Sequence, residues 1–99
     1  MDYKVKATFN PPAGKRGERV RLEVEYESAE DIGMLDRSVL RIGSNGIFDV
    51  MKQEGDRKFS WTYVIPWEAP IRSYDIEFYA LDPKGQKGPV QTVRYQVTG

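Results

Sequence analysis

The chain has 99 residues, 39% of them hydrophobic and 30% charged, with Lys+Arg and Asp+Glu balanced at 15 each. That length supports one domain with one core and leaves no room for a second. Cysteine and histidine are both absent, which removes thiol nucleophiles, disulfides, most zinc and copper sites and the commonest general base near neutral pH. A chain of zero net charge has no long-range field to gather polyanions, so nucleic acid is not an expected partner. No apolar run approaches about 18 residues, so membrane insertion is not expected either. A secretory signal is not expected in the opening residues. Met1-Asp2 reads as the start of a mature chain or of an excised piece.

Strict alternation dominates the chain. YKVKATF (3–9) puts Tyr3, Val5, Ala7 and Phe9 on one face and Lys4, Lys6 and Thr8 on the other. A period of two marks a half-buried strand. NPPAGKRG (10–17) follows, and its prolines and glycines forbid a helix there. RVRLEVEYE (19–27) then points Val20, Leu22, Val24 and Tyr26 inward. If Phe9 faces Val20, then Lys6 faces Glu23 and Lys4 faces Glu25, which places opposite charges across the outer face. Residues 28–37 (SAEDIGMLDR) form a loop or one short helical turn.

A strand is expected around 38–43 and another around 47–52. Asn45-Gly46 between them is the favoured pair for a tight hairpin. The inward face is ambiguous here: Leu40 and Ile42 alternate one way, Val39 and Val50 the other. That pattern suggests a strand near an edge, or a bulge. After the EGD turn (54–56), KFSWTYVI (58–65) aligns Phe59, Trp61, Tyr63 and Ile65, with Trp61 in the core. PWEAP (66–70) breaks the chain. YDIEFYAL (74–81) aligns Tyr74, Ile76, Phe78 and Ala80, and TVRYQV (92–97) aligns Val93, Tyr95 and Val97. Seven short strands with turns every 8–12 residues read as an all-β, seven-stranded antiparallel β-sandwich.

The run from Ile65-Pro66 through SYDIEFYALDPKGQKGPV (73–90) resembles the end of a bacterial immunoglobulin-like or fibronectin type III-like domain. Tyr74, Ile76, Phe78, Ala80, Asp82 and Gly85 occupy the places that carry the likeness, which covers roughly residues 57–97. The resemblance implies an immunoglobulin-like Greek key, with Tyr74 at a corner and its hydroxyl bonded to nearby backbone. It further implies one module of a larger bacterial exported or surface protein, extracellular or at the cell surface. The early-strand tryptophan usual in fibronectin domains is missing, and Tyr26 stands near its place.

Candidate contact residues are few. The loop 82–89 joins the last two strands. Asp82 can cap its turn, and Gly85 and Gly88 accept positive φ. Asp82, Lys84 and Lys87 are its partner-facing candidates, because sandwich-end loops are where such domains bind. Trp67 could stack on a sugar ring or anchor a protein partner; the simpler reading folds it over the open end of the core. Lys15 and Arg16, with Arg19 and Arg21, form a basic cluster that Glu18, Glu23 and Glu25 dilute. The carboxylates Asp31, Asp36, Asp49, Asp56, Asp75 and Asp82 are scattered, with no pairing that suggests a glycosidase and no calcium loop. No phosphate-binding glycine loop or serine nucleophile elbow occurs. The expected role is non-enzymatic and cofactor-free: a monomeric spacer or protein-interaction module that contacts neighbouring domains or another protein. The alternative is a carbohydrate-binding module that takes polysaccharide on its loop aromatics.

Overall fold

The computed structural model describes residues 2–28, 33–43 and 46–99. Nine strands run through them: β1 (Lys4–Asn10), β2 (Gly14–Lys15), β3 (Arg19–Glu27), β4 (Arg37–Ile42), β5 (Ile47–Val50), β6 (Lys52–Gln53), β7 (Lys58–Val64), β8 (Ser73–Leu81) and β9 (Gln91–Thr98). They form two layers, a four-stranded sheet in the order β1-β3-β7-β6 and a five-stranded sheet in the order β2-β9-β8-β4-β5. The alternating residues supply the core between them: Leu22 and Tyr26 from β3, Phe59 and Trp61 from β7, Leu40 from β4 and Phe78 from β8 are all buried. Each such side chain contributes roughly 1.5–3 kcal/mol by leaving water. Asn45 and residues 29–32 lie outside the described residues, so the turn chemistry expected at Asn45 and the middle of the 28–37 stretch are not described. β4 and β5 on either side of 43–46 do pair antiparallel.

The structure has nine strands where seven are expected, the two-residue β2 and β6 being additions, and three further details differ from the sequence reading. In the first pair, Phe9 faces Leu22, Lys6 faces Glu25 and Lys4 faces Glu27. The register is two residues from the expected one. Parity survives, because a shift of two keeps every side chain on its face. The extra length is used by β2. After Asn10 the chain crosses to the other sheet, pairs Gly14 and Lys15 in parallel with Val97 and Thr98, and returns to β3. So not every pairing is antiparallel, and two-residue strands such as β2 and β6 leave no alternation to read. The ion pair on Glu25 comes from Lys58 of β7, at 3.3 Å.

The second difference is Gly88. It lacks a positive φ, unlike Gly85 at +81°. Its small size is used differently: a Cβ at Gly88 would lie 2.3 Å from Cε2 of Tyr3. The third is Trp67, which does not cover the core and is taken up below.

The β4–β5 ambiguity resolves into two faces. Leu40 and Ile42 join the core, while Val39, opposite Val50 and Tyr79, is buried on the outer face away from it. At Met51 the chain leaves the five-stranded sheet and crosses to the other as β6. Asp49 fastens this flank. Its Oδ2 accepts from Trp61 Nε1 across the sandwich at 2.9 Å. Its Oδ1 accepts the backbone N–H of Val50, next in the rim strand, at 3.0 Å.

Aromatic packing organises the interior. Tyr26 meets Tyr3, Phe59 and Phe78 edge-on, with ring centroids 4.6, 5.9 and 6.4 Å away. Its hydroxyl shares a 2.6 Å bond with Ser38 Oγ, which also donates to Met51 Sδ. A buried hydroxyl without such partners would cost on the order of 1–3 kcal/mol. Tyr74 donates to the carbonyl of Pro70 at 2.7 Å, the corner bond that the resemblance implies.

Burial pushes the Tyr26 hydroxyl above its ordinary value of 10.0, and burial raises Tyr3 and Tyr95 in the same direction. The folded state therefore holds these protons more tightly than the unfolded chain. Their contribution to stability is complete below about pH 10 and is lost as pH rises from there toward the folded values. Urea midpoints measured against pH should be flat through neutrality, since no histidine titrates, and should fall above about pH 10. Tyr26 alone should contribute a slope of about 1.4 kcal/mol per pH unit there. Tyr26→Phe should lose that share of the slope; an unchanged slope would refute the assignment.

Candidate functional site

The fold separates the six sequence candidates into two groups at opposite ends. β3 and β8 begin at one end of the sandwich, where the loops 11–18 and 65–72 meet. β8 runs from that end to the other, where residues 82–90 turn back into β9.

Lys15, Arg16 and Trp67 share the first end. Two backbone bonds lock its loops together: Gly17 N–H to the Ile65 carbonyl at 2.7 Å, and Ile65 N–H to the Glu18 carbonyl at 2.9 Å. Glu18 Oε1 accepts the Lys15 N–H, and Ala69 N–H closes a turn on the Pro66 carbonyl. Ile65 and Ala69 are buried and close the core here, so Trp67 is not needed as a cover. It is 74% exposed. One edge of its indole rests on Gly17, where a Cβ would lie 2.4 Å from Trp67 Cζ2 and where φ is +84°. Only glycine suits that position, on both counts. Arg16 Nη1 donates to the Trp67 carbonyl at 3.4 Å, and Arg16 Nε is buried without a partner. An exposed aromatic side chain thus stands on a two-loop base that Arg16 ties to its backbone. Ile71 is 54% exposed on the same loop and lies against Gly99. The sequence reading missed Ile71, which belongs to no alternating run; an isolated apolar residue between breakers was its only signal.

At the opposite end the loop 82–90 is held mainly by its own bonds. Asp82 Oδ1 accepts the N–H groups of Lys84 and Gln86 at 2.9 and 2.8 Å, and Gly85 N–H reaches the Asp82 carbonyl. Asp82 caps the turn, as its position suggests. Lys87 Nζ sits over the Tyr79 ring, 4.3 Å from the centroid, while Lys84 is exposed. Beside this loop, Leu35 N–H bonds the Asp56 carbonyl and Asp36 N–H the Leu81 carbonyl. Met34, next in the chain, is 55% exposed there.

Open polar hollows lie on the surface beside Lys6, Thr8, Arg21, Glu23 and Glu54, and beside Ser28, Asp56 and Lys58. An apolar crevice of about 40 Å³ opens between the sheets beside Ile42, Ile47, Trp61, Tyr63 and Pro66, room for about one water-sized body. Among the described residues no group of three or more His, Cys, Asp or Glu converges to hold a metal. Four of the six aspartates named from the sequence are bonded within the fold: Asp49 to Trp61 and Val50, Asp75 to Arg94, Asp36 to Arg37, and Asp82 in its own turn. Among the described residues no helix is long and apolar enough to cross a membrane.

No protein-family model matches the chain, and no curated protein matches it. Solved structures do share its fold. A mutant of the SrpA adhesin from Streptococcus sanguinis superposes with a TM-score of 0.67 at 16% identity, over 97% of this chain and 58% of that one. The endo-beta-1,4-mannanase from Thermotoga petrophila gives 0.64 at 6% identity, over 97% of this chain and 20% of that one. A Niemann-Pick type C2 protein from the Japanese carpenter ant gives 0.57 at 7% identity, over 98% and 92%. The chain spans less than two thirds of the mannanase and adhesin chains. At these identities the likeness is one of fold.

Proposed function

We propose that this chain is a non-catalytic, immunoglobulin-like module of a larger exported or surface protein, and that it acts as a spacer and contacts protein through its Trp67 end. The sheet orders support the immunoglobulin-like reading, because β3–β4, β5–β6 and β7–β8 each carry the chain from one sheet to the other. Modularity is supported by the overlay of nearly the whole chain on a fraction of two longer proteins. The observation that carries the contact surface is Trp67, a large exposed indole that rests on Gly17, with Arg16 bonded to its backbone carbonyl. Tryptophan and arginine are the side chains most often found as energetic anchors of protein interfaces. The non-catalytic reading is supported by Asp36, Asp49, Asp75 and Asp82, whose oxygens are taken up by bonds within the fold.

Carbohydrate binding is the second reading, favoured by the same exposed indole face. Trp61 is buried and bonded to Asp49, so changes at the protein surface should register in Trp67 fluorescence. Titration with soluble mannan, xylan and cellulose derivatives should leave the emission unchanged. A saturable blue shift that Trp67→Ala abolishes would replace the protein-contact reading with the sugar one.

A further inference from the structure

We infer that β1 is a second docking surface, an open sheet edge that takes an added strand from a partner protein in which apolar residues alternate with acidic ones. The inference goes beyond the Trp67 reading and concerns a different face. β1 forms one rim of the four-stranded sheet and pairs only with β3. The pairing phase shows which of its groups are free. Tyr26 N–H bonds the Arg57 carbonyl, and Ile65 N–H bonds the Glu18 carbonyl. The even-numbered residues of β3 therefore bond toward β7, while Arg21, Glu23, Glu25 and Glu27 bond toward β1. Opposite these stand Asn10, Thr8, Lys6 and Lys4. Val5, Ala7 and Phe9 thus aim their N–H and C=O groups away from the sheet, where no bond to another of the described residues meets them.

The other rims are short or closed. β2 and β6 have two residues each and cover β9 and β7 in part, leaving shorter open runs there. In β5 the Val50 N–H is already held by Asp49. β1 runs for seven residues without proline or a break in register. Its side chains define the occupant. On the inner face Val5, Ala7 and Phe9 are half-buried, whereas their β3 partners Tyr26, Val24 and Leu22 are buried. Apolar side chains from a further strand would complete that burial. On the outer face Lys4 and Lys6 are exposed. Among the described residues neither is in an ion pair: Glu25 is taken by Lys58, and Glu23 by Arg21. Counting only side chains outside ion pairs, β1 and β3 present Lys4, Lys6 and Arg19 against Glu27, with Asp2 just ahead of the strand. An added strand lies about 4.8 Å from β1 and about twice that from β3, so it meets the two lysines first. Carboxylates directly opposite them are favoured, and further lysines are not.

The same lysines argue against a second copy as the occupant. Two β1 edges side by side would gather Lys4 and Lys6 of both chains on one face, with no carboxylate in either strand between them. β3 shows the pattern that does pair with β1, since LEVEYE (22–27) is apolar on one face and acidic on the other. A partner that offers such a segment needs no pocket. Main-chain bonds supply the affinity, and the alternation of side chains sets the register. A segment of this length buries less than the roughly 1,200 Å² of stable complexes, so the contact is weak and reversible.

Hydrogen exchange of the intact chain, followed by NMR, tests this with a capped peptide of about nine residues that alternates valine and glutamate. In the free chain the Val5, Ala7 and Phe9 amides should exchange about tenfold or more faster than those of Lys6 and Thr8, which β3 holds. Saturating peptide, with a dissociation constant of about 0.1–1 mM, should slow the first three and leave the other two unchanged. About 0.5 M NaCl should weaken the binding. Lys4→Thr combined with Lys6→Thr should weaken it about fivefold; both positions are exposed, and far-ultraviolet spectra check the fold. N-methylation of the peptide's valines should abolish binding, because their N–H groups are the ones that face β1. A valine–lysine counterpart should not bind. Val5, Ala7 and Phe9 amides already protected in the dilute free chain overturn the inference. So does a glutamate peptide that fails to bind, binds elsewhere, or binds no better than its lysine counterpart. Protection that appears as the chain alone is concentrated gives the edge to a second copy, and overturns the inference too. Trp67→Ala should leave the affinity for the peptide unchanged, so the failure of either surface leaves the other standing.

Discussion

Phe78→Ala should lower the unfolding free energy by about 3–5 kcal/mol, the cost of emptying a buried aromatic site. Phe78 has no exposed surface. It sits mid-strand in β8, opposite Leu40 of β4 and Gln91 of β9, with Tyr26 of the facing sheet edge-on to its ring at 6.4 Å. The cavity would therefore open between the two sheets at the centre of the sandwich. Flanking strands are held by ladder bonds on both sides of β8, so the site cannot collapse inward without breaking pairs. A domain of this size has roughly 5–15 kcal/mol in all, and such a loss should drop the melting temperature by about 10–30 °C. Phe48 is the control. It has the same side chain, is 66% exposed on the rim strand, and its replacement by alanine should stay within about 0.5 kcal/mol. If the two variants melt alike, the core has been placed wrongly.

Gly88→Ala should be nearly as damaging for a single methyl, at about 1–3 kcal/mol. The new Cβ would lie 2.3 Å from Tyr3 Cε2 and 2.7 Å from Tyr3 Cζ and Oη. A ring can usually swing away from such a clash, but this one is fixed at its far end. Its hydroxyl donates to the Pro89 carbonyl at 2.7 Å and accepts the Ala80 N–H at 3.0 Å. Moving it leaves a buried backbone N–H unpaired and pulls the ring off Tyr26. Gly88 N–H bonds the Ala80 carbonyl, so the loop cannot retreat cheaply either. Adding Tyr3→Ala to Gly88→Ala should cost less than the sum of the two single losses, because the clash vanishes with the ring. Chemical denaturation of the two singles and the double completes the cycle, and additive losses would show that the ring is not what Gly88 accommodates.

The longest strands were legible because alternation is a property of the pleat itself. Phe59, Trp61 and Tyr63 had to share a face, and Trp61 is buried as that phase requires. What alternation cannot report is a contact between segments distant in sequence. Ser38 is a small polar residue in β4, yet it is fully buried because Tyr26 and Met51 both reach it. Gly88 reads as a turn residue, and its reason for being glycine is a tyrosine 85 positions earlier. The offset between β1 and β3 depends on how much chain the visit of Gly14 and Lys15 to the other sheet consumes, which the hairpin charges do not encode. Of the candidate surface, Trp67 with Arg16 was visible as residue types. Their proximity, and the placement of Lys84 and Lys87 at the far end, depend on which loops the strand order brings together.

The two oxygens of Asp49 have a consequence for how such modules could multiply. One clamps the seam between the layers through the indole of Trp61. The other occupies the amide hydrogen of Val50, which a foreign strand would otherwise seize to extend the sheet sideways. That border is therefore a poorer template for sideways growth than a fully open strand edge would be.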